Sequence, residues 1–138
     1  MTLSVDDVRA FIRSNHRGVL ATTRRDGAAQ MSPVTVGVDD DGSLLISTRE
    51  TAMKTVNVRR TGRASVCAFE DAFFGQWVQA EGAASIESLP GAMEGLVRYY
   101  RLIAGEHPDW DDYRNAMERD RRVLLRIRVD RVGPNRAG

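Results

Sequence analysis

The sequence predicts a mainly β, α+β fold: a small closed or partly split β-barrel of antiparallel strands with peripheral helices. Three observations lead there. Short apolar runs recur between turn residues, the links joining them are of hairpin type, and no strand–helix–strand alternation of the parallel kind appears. The expected order is helix, three strands, helix, two strands, two helices, strand, with residues 1–138 forming one domain.

Each element has its own signal. Ser4 followed by Asp7 is a helix-start pattern, and Val5, Val8, Phe11 and Ile12 share a helical face through Ser14. GVLATT after Arg17 is a strand that ends at Asp26-Gly27, a hairpin signal, and Gln30 to Val38 resumes as a strand. Pro33 offers no amide donor, so it belongs at a sheet edge, at a bulge, or where a ligand replaces the neighbouring strand. Gln30, Met31 and Ser32 before it then read either as ligand contacts or as the opening of a half-exposed strand. Asp39-Asp40-Asp41-Gly42 is expected to be a solvated hairpin tip, since its carboxylates lack the alternate spacing of a calcium loop. Leu44, Leu45 and Ile46 form a buried strand, Ser47, Thr48 and Arg49 a polar turn, and a short helix through Arg60 ends at Gly62. Arg63 to Glu70 and Gln76 to Ile86 are strands around a loop at 71–75. In the second of them, Trp77, Gln79 and Glu81 alternate with Val78 and Ala80. Pro90 opens a helix with Met93, Leu96, Val97, Tyr100 and Ile103 on one stripe, and Trp110, Tyr113 and Met117 form the face of another. Val123 to Val132 alternates apolar and charged residues, the pattern of a strand with one wet face.

Composition narrows the function classes. Lys and Arg total 20 against 19 Asp and Glu, a formal charge of +1, so no bulk field favours nucleic acid. No apolar stretch approaches the roughly 18 residues of a membrane helix, and the segment after Met1 is polar, so a cytoplasmic protein is expected. Cys67 stands alone in an apolar run and reads as a small buried hydrophobe.

The stretch from Leu44 to Arg60 carries the chemistry. A strand feeding a helix presents free N–H groups and partial positive charge, and Lys54 lies one turn into that helix with Asn57, Arg59 and Arg60 beyond it. Lys54 is the only lysine, so the compact ammonium charge occurs at one position. The stretch reads either as a phosphate site or as a solvated basic face. Dinucleotide and Walker motifs, paired-cysteine and zinc-protease motifs and the nucleophile elbow are all missing, and His16 and His107 are too few for a metal triad or a Ser-His-Asp arrangement. No side chain is therefore expected to be a covalent catalyst or a metal ligand. An enzyme of this kind would leave the hard chemistry to a cofactor.

With Ser47, Thr48 and Lys54 in place, GVLATTRRDGAAQMSPV before them and WVQAEGAAS after, the chain resembles the pyridoxamine-phosphate-oxidase-like, FMN-binding type of split β-barrel. The segment IAGEHPDWDDYRNAMERDRRVLLRI is similar to the actinobacterial branch that uses the deazaflavin coenzyme F420. That resemblance implies a reductase passing a hydride from the reduced deazaflavin to a small electron-poor acceptor, with the proton coming from solvent or a hydroxyl such as Ser47 or Tyr113. It places the cofactor phosphate at Lys54 with Arg59 or Arg60, Ser47 and Thr48 at the phosphate or ring edge, and Gln30 to Pro33 along the ring. It also implies a homodimer with cofactors at the interface, Trp77 bordering the cofactor across it. Flavin mononucleotide (FMN) is the alternative cofactor, and a non-catalytic cofactor- or haem-binding protein is the alternative function. Unlike the parent oxidases, this sequence has no tryptophan after Trp110, so the resemblance does not extend to oxidation of vitamin B6 phosphates.

Overall fold

The structure is a computed structural model that describes residues 3–134. Helix α1 (Val5–Ser14) starts on a reciprocal cap, with the Asp7 N–H donating to Ser4 Oγ and the Ser4 N–H to the Asp7 carboxylate, both at 3.0 Å. Its apolar stripe buries Val8 and Ile12 against the barrel interior. Strands β1 (Arg17–Thr23) and β2 (Ala29–Thr35) form the expected hairpin.

The expected strand from Gln30 to Val38 is broken. At Val36 the chain leaves the β1 partner, and β3 (Gly37–Val38) pairs instead with β4 (Leu44–Arg49). The sheet order β2-β1-β5-β6-β7-β4-β3 explains the break, because β2 and β3 lie on opposite edges and no continuous strand can serve both. Four strands therefore precede the middle helix, not three. As an edge strand, β2 tolerates Pro33.

Ser47, Thr48 and Arg49 also differ from expectation. They continue β4, pairing with Leu124, Val123 and Arg122, and the turn falls at 50–52. Ladder hydrogen bonds to β7 outweigh the polar composition of this stretch. Helix α2 (Met53–Thr61) then ends at Gly62, whose φ of +68° is the left-handed position that glycine adopts without strain. Strands β5 (Arg63–Phe69) and β6 (Trp77–Glu87) follow, with a bulge between Glu81 and Gly82. A Cβ on Gly82 would lie 1.9 Å from the Arg128 carbonyl oxygen, so only glycine allows β6 and β7 to meet there. Pro90 lies in the turn ahead of α3 (Met93–Ala104) and does not open the helix itself. Helix α4 (Trp110–Arg119) and β7 (Arg122–Gly133) complete the chain.

The antiparallel sheet curls into a half-barrel with β2 approaching β4 at the split. Its interior holds Leu20, Leu44, Ile46, Val66, Leu125 and Ile127. The outer face of β4 and β7 is covered too: Leu45 and Leu124 pack under Leu96, Val97 and Tyr113 of α3 and α4. For that reason β7 has no wet face along Val123–Ile127, and Arg126 is buried. Asp39 is likewise no solvated tip; it is 6% exposed and bonded to Arg98 and Arg126. Among the described residues, no helix is long and apolar enough to cross a membrane.

Candidate functional site

The split gathers parts of six elements around a cavity of about 600 Å³, within the roughly 300–1,000 Å³ of small-molecule sites. Pro33, Val34 and Thr35 come from β2, Ser47, Thr48 and Arg49 from β4, Lys54 from α2, and Arg122 from β7. Tyr99 and Tyr100 of α3 and Met117 of α4 form the remaining wall. Pairing puts them there. Alternation along β4 sends Leu45, Ser47 and Arg49 to the outer face, and the register sets Arg49 directly opposite Arg122.

Two like charges opposite each other in a ladder are destabilising, typically by a few tenths of a kcal/mol to about 1 kcal/mol. Here a third cation joins them. Lys54 is half-buried, its Nζ donates to Ser32 Oγ at 3.1 Å, and its pKa is lowered by burial and then by the charge of Arg122. No acidic residue lines the cavity. Among the described residues, no carboxylate pairs with Arg49, Lys54 or Arg122. The Arg122 Nε is in addition buried without a hydrogen-bond partner. The N-terminus of α2 has no capping side chain and no acidic residue in its first turn. This is the donor set of an anion site, and a phosphate or carboxylate would satisfy groups that the protein leaves open.

The hydroxyls divide by their partners. Tyr99 Oη lies 2.6 Å from Thr35 Oγ1 and donates to the Thr35 carbonyl at 3.0 Å, tying α3 to the β2 edge. Tyr113, a proton donor in the sequence reading, donates to the Leu96 carbonyl at 2.8 Å, and burial pushes its pKa up to about 12. A phenol so held is a poor acid, so Ser47, half-buried at the cavity wall, is the better placed of the two hydroxyls.

The residues singled out from sequence are partly brought together. Pro33, Ser47, Thr48 and Lys54 line the cavity, and Ser32 meets it through Lys54. Asn57 is fully buried, donating to Thr22 Oγ1 at 3.1 Å and accepting from Arg60 at 3.1 Å, while Thr22 donates to Gln30 at 3.3 Å. Asn57, Arg60 and Gln30 thus rivet α2 to β1 and β2. Arg60 also donates to the Thr23 carbonyl. Arg59 forms a fork with Glu50 and donates to Ser88 Oγ at 2.9 Å. Met31 is exposed. Trp77 lies apart from the cavity, at the start of β6 beside Cys67, Phe69 and Phe73. Arg49, Arg122, Tyr99 and Tyr100 lie outside the set expected from sequence; their signal is the strand register and helix docking, which composition does not carry.

The two histidines are both engaged. His16 Nδ1 lies 2.8 Å from the Val36 carbonyl oxygen, and His107 accepts from the Asp109 N–H while packed against Tyr100, Trp110 and Tyr113. Neither lines the cavity. Among the described residues, no group of His, Cys, Asp and Glu has the geometry of a metal site.

A curled antiparallel half-barrel with a cationic cavity at its split defines a class, the small-molecule-binding split β-barrels. Within that class the chain belongs to the pyridoxamine 5'-phosphate oxidase family, whose model matches residues 4–135 and whose members include oxidoreductases. Solved structures share the fold. A conserved hypothetical protein of Mycobacterium tuberculosis is 26% identical, with 96% of this chain and 84% of that one covered at a TM-score of 0.75. A protein described as an F420 reductase is 16% identical over 91% of this chain and 94% of its own, TM-score 0.68. A FAD-binding protein of Mesorhizobium loti is 19% identical over 96% and 94%, TM-score 0.64.

Proposed function

We propose that this protein is an F420-dependent oxidoreductase acting on a small electron-poor organic acceptor. The observation that carries the reading is the cavity ringed by Arg49, Lys54 and Arg122 with no acidic lining. Such a site fits a phosphate, and the surplus of arginine fits a carboxylate-bearing tail, since each carboxylate accepts a bidentate pair from a guanidinium. The chain's place among the pyridoxamine 5'-phosphate oxidases is in keeping with redox chemistry on a bound cofactor.

In this reading Lys54 and Arg122 hold the phosphate, Ser47 bonds to it or to the ring edge, and Thr48, whose side chain is buried, and Pro33 offer backbone contact. When bound, the coenzyme supplies the hydride. The protein's own part is to bind, orient and exclude water: the Tyr99–Thr35 bond fixes one wall, and the packing of Tyr100 on His107, Trp110 and Tyr113 fixes the other. Ser47 or solvent supplies the proton. Arg59 and Arg60 act as supports of α2, a change from the role the resemblance gave them. The assembly we propose is a homodimer with Trp77 of one chain bordering the cofactor of the other. Phe73 and Phe74, 91% and 96% exposed beside Trp77, support an interface there.

A parallel fluorescence titration with oxidised coenzyme F420 and with FMN at two salt concentrations tests the reading. Preferential, salt-sensitive binding of F420, weakened by Lys54→Ala, is expected because a charged tail is screened by salt. Binding of FMN alone would move the protein to the flavin branch, and binding of neither would end the enzyme claim. Light scattering after size exclusion should give a dimer; a monomer that still binds cofactor would remove the interface from the site.

A further inference from the structure

The chain has one lysine, and its surroundings are unlike those of a surface lysine. Lys54 Nζ reaches a cavity that also admits Arg49 and Arg122, and its neighbour Ser32 Oγ accepts one of its hydrogens at 3.1 Å. No carboxylate lines that space to favour the ammonium form. Adjacent guanidinium charge and partial burial both favour the neutral amine, and they lower the Lys54 pKa, burial first and Arg122 second. A neutral amine is a nucleophile toward carbonyl carbon, and a lysine beside another cation is a recurring form of that nucleophile. Arg122, which lowers the pKa of the amine, also attracts anions, as does Arg49 beside it.

We propose that Lys54 forms a reversible imine with small aldehydes carrying a carboxylate or phosphate, the anionic group lodging against Arg122 and Arg49. The Nζ lone pair makes the C–N bond at the aldehyde carbon. The carbonyl oxygen takes both amine protons and leaves as water, so nothing is oxidised or reduced. Ser32 orients the amine, and Arg122 and Arg49 select the anionic aldehyde. This goes beyond the cofactor reading, in which Lys54 acts as a charge; a bound phosphate and an imine would compete for the same amine.

The single lysine makes the test clean. The intact protein is incubated near neutral pH with glyoxylate, an anionic two-carbon aldehyde, or with glycolaldehyde, its neutral counterpart, and imines are trapped with cyanoborohydride and located by peptide mass mapping. A lowered pKa raises the neutral fraction of the amine, and the arginines hold the anionic aldehyde beside it. Lys54 is therefore expected to trap glyoxylate at least severalfold faster than free Nα-acetyl-lysine amide does. Arg122→Met should lower the glyoxylate rate more than the glycolaldehyde rate, because the neutral aldehyde loses only the influence of that charge on the amine, whereas the anion also loses its binding partner. Should that variant fold poorly, inorganic phosphate added to the wild type serves instead and is expected to slow glyoxylate trapping. Trapping at the rate of the free amide, equal rates for the two aldehydes, or no effect of either Arg122→Met or phosphate would overturn the proposal. An adduct without any F420 binding would keep the amine and sink the cofactor reading; F420 binding without an adduct would do the reverse.

Discussion

Arg122 and Arg126 lie four positions apart on one face of β7 and have opposite surroundings. Arg126 donates to Glu87 at 2.8 Å, to Asp39 at 2.9 Å and to Ser43 at 2.6 Å, with Arg98 completing the group from α3. Arg122 faces Arg49 across the ladder and Lys54 across the cavity, with its Nε unbonded. Arg126 is held by carboxylates; Arg122 faces Arg49 and Lys54, and it forms no ion pair with Glu50 or Glu118, which line a second cavity that it borders. A charge whose partners are all in the chain belongs to the fold. A charge left open at the mouth of a cavity waits for a partner from outside.

The largest effect that would break this comparison is on stability. Arg126→Met removes one of the two arginines that hold the buried Asp39, and the partner of Glu87, and should cost about 3 kcal/mol, read from the denaturant midpoint. Arg122→Met should cost nothing or stabilise by up to about 1 kcal/mol, because it relieves a like-charge pair. Equal losses for the two variants would make both arginines structural.

The next effect is on acid stability. Burial pushes the Asp39 carboxyl up, but hydrogen bonds from Arg98 and Arg126 outweigh it and hold the pKa down at about 2. The folded value lies below the ordinary 3.8, so the stabilisation is present above that pH and is lost as pH falls toward about 2. Its size is about 2 kcal/mol. Asp39→Asn should flatten the acid limb of a stability–pH profile, and an unchanged limb would show that the network does not set it.

The smallest effect sharpens the comparison at the surface. Arg59→Ala breaks the exposed fork to Glu50 and the bond to Ser88 Oγ and should cost less than about 1 kcal/mol by the same denaturant assay. A larger loss would make Arg59 part of the packing that holds α2.

How far these places were legible in the sequence follows from the range of the interactions. The Ser4–Asp7 cap, the Asp26-Gly27 turn and the stop at Gly62 are local, and the chain writes them in adjacent residues. The junction around Lys54 was visible for the same reason, as a strand passing into a helix. What composition does not carry is register. That Arg49 sits opposite Arg122, that Asp39 lies beside Arg126, and that α3 and α4 dry the outer face of β7 all depend on segments distant in sequence. Asn57, Arg59 and Arg60 read as ligand candidates from their polarity and closeness to Lys54; in the structure Asn57 turns inward to Thr22 and the arginines reach Glu50 and Thr23, contacts that depend on distant segments.

A coenzyme F420 titration of the wild type, Arg122→Met and Arg59→Ala side by side decides whether the open cations hold the cofactor's anion. Loss of one charge-assisted contact is expected to weaken binding to Arg122→Met about tenfold or more, with Arg59→Ala within about twofold of the wild type. Weakened binding to Arg59→Ala with Arg122→Met unaffected would contradict the account and return the phosphate to the far end of α2.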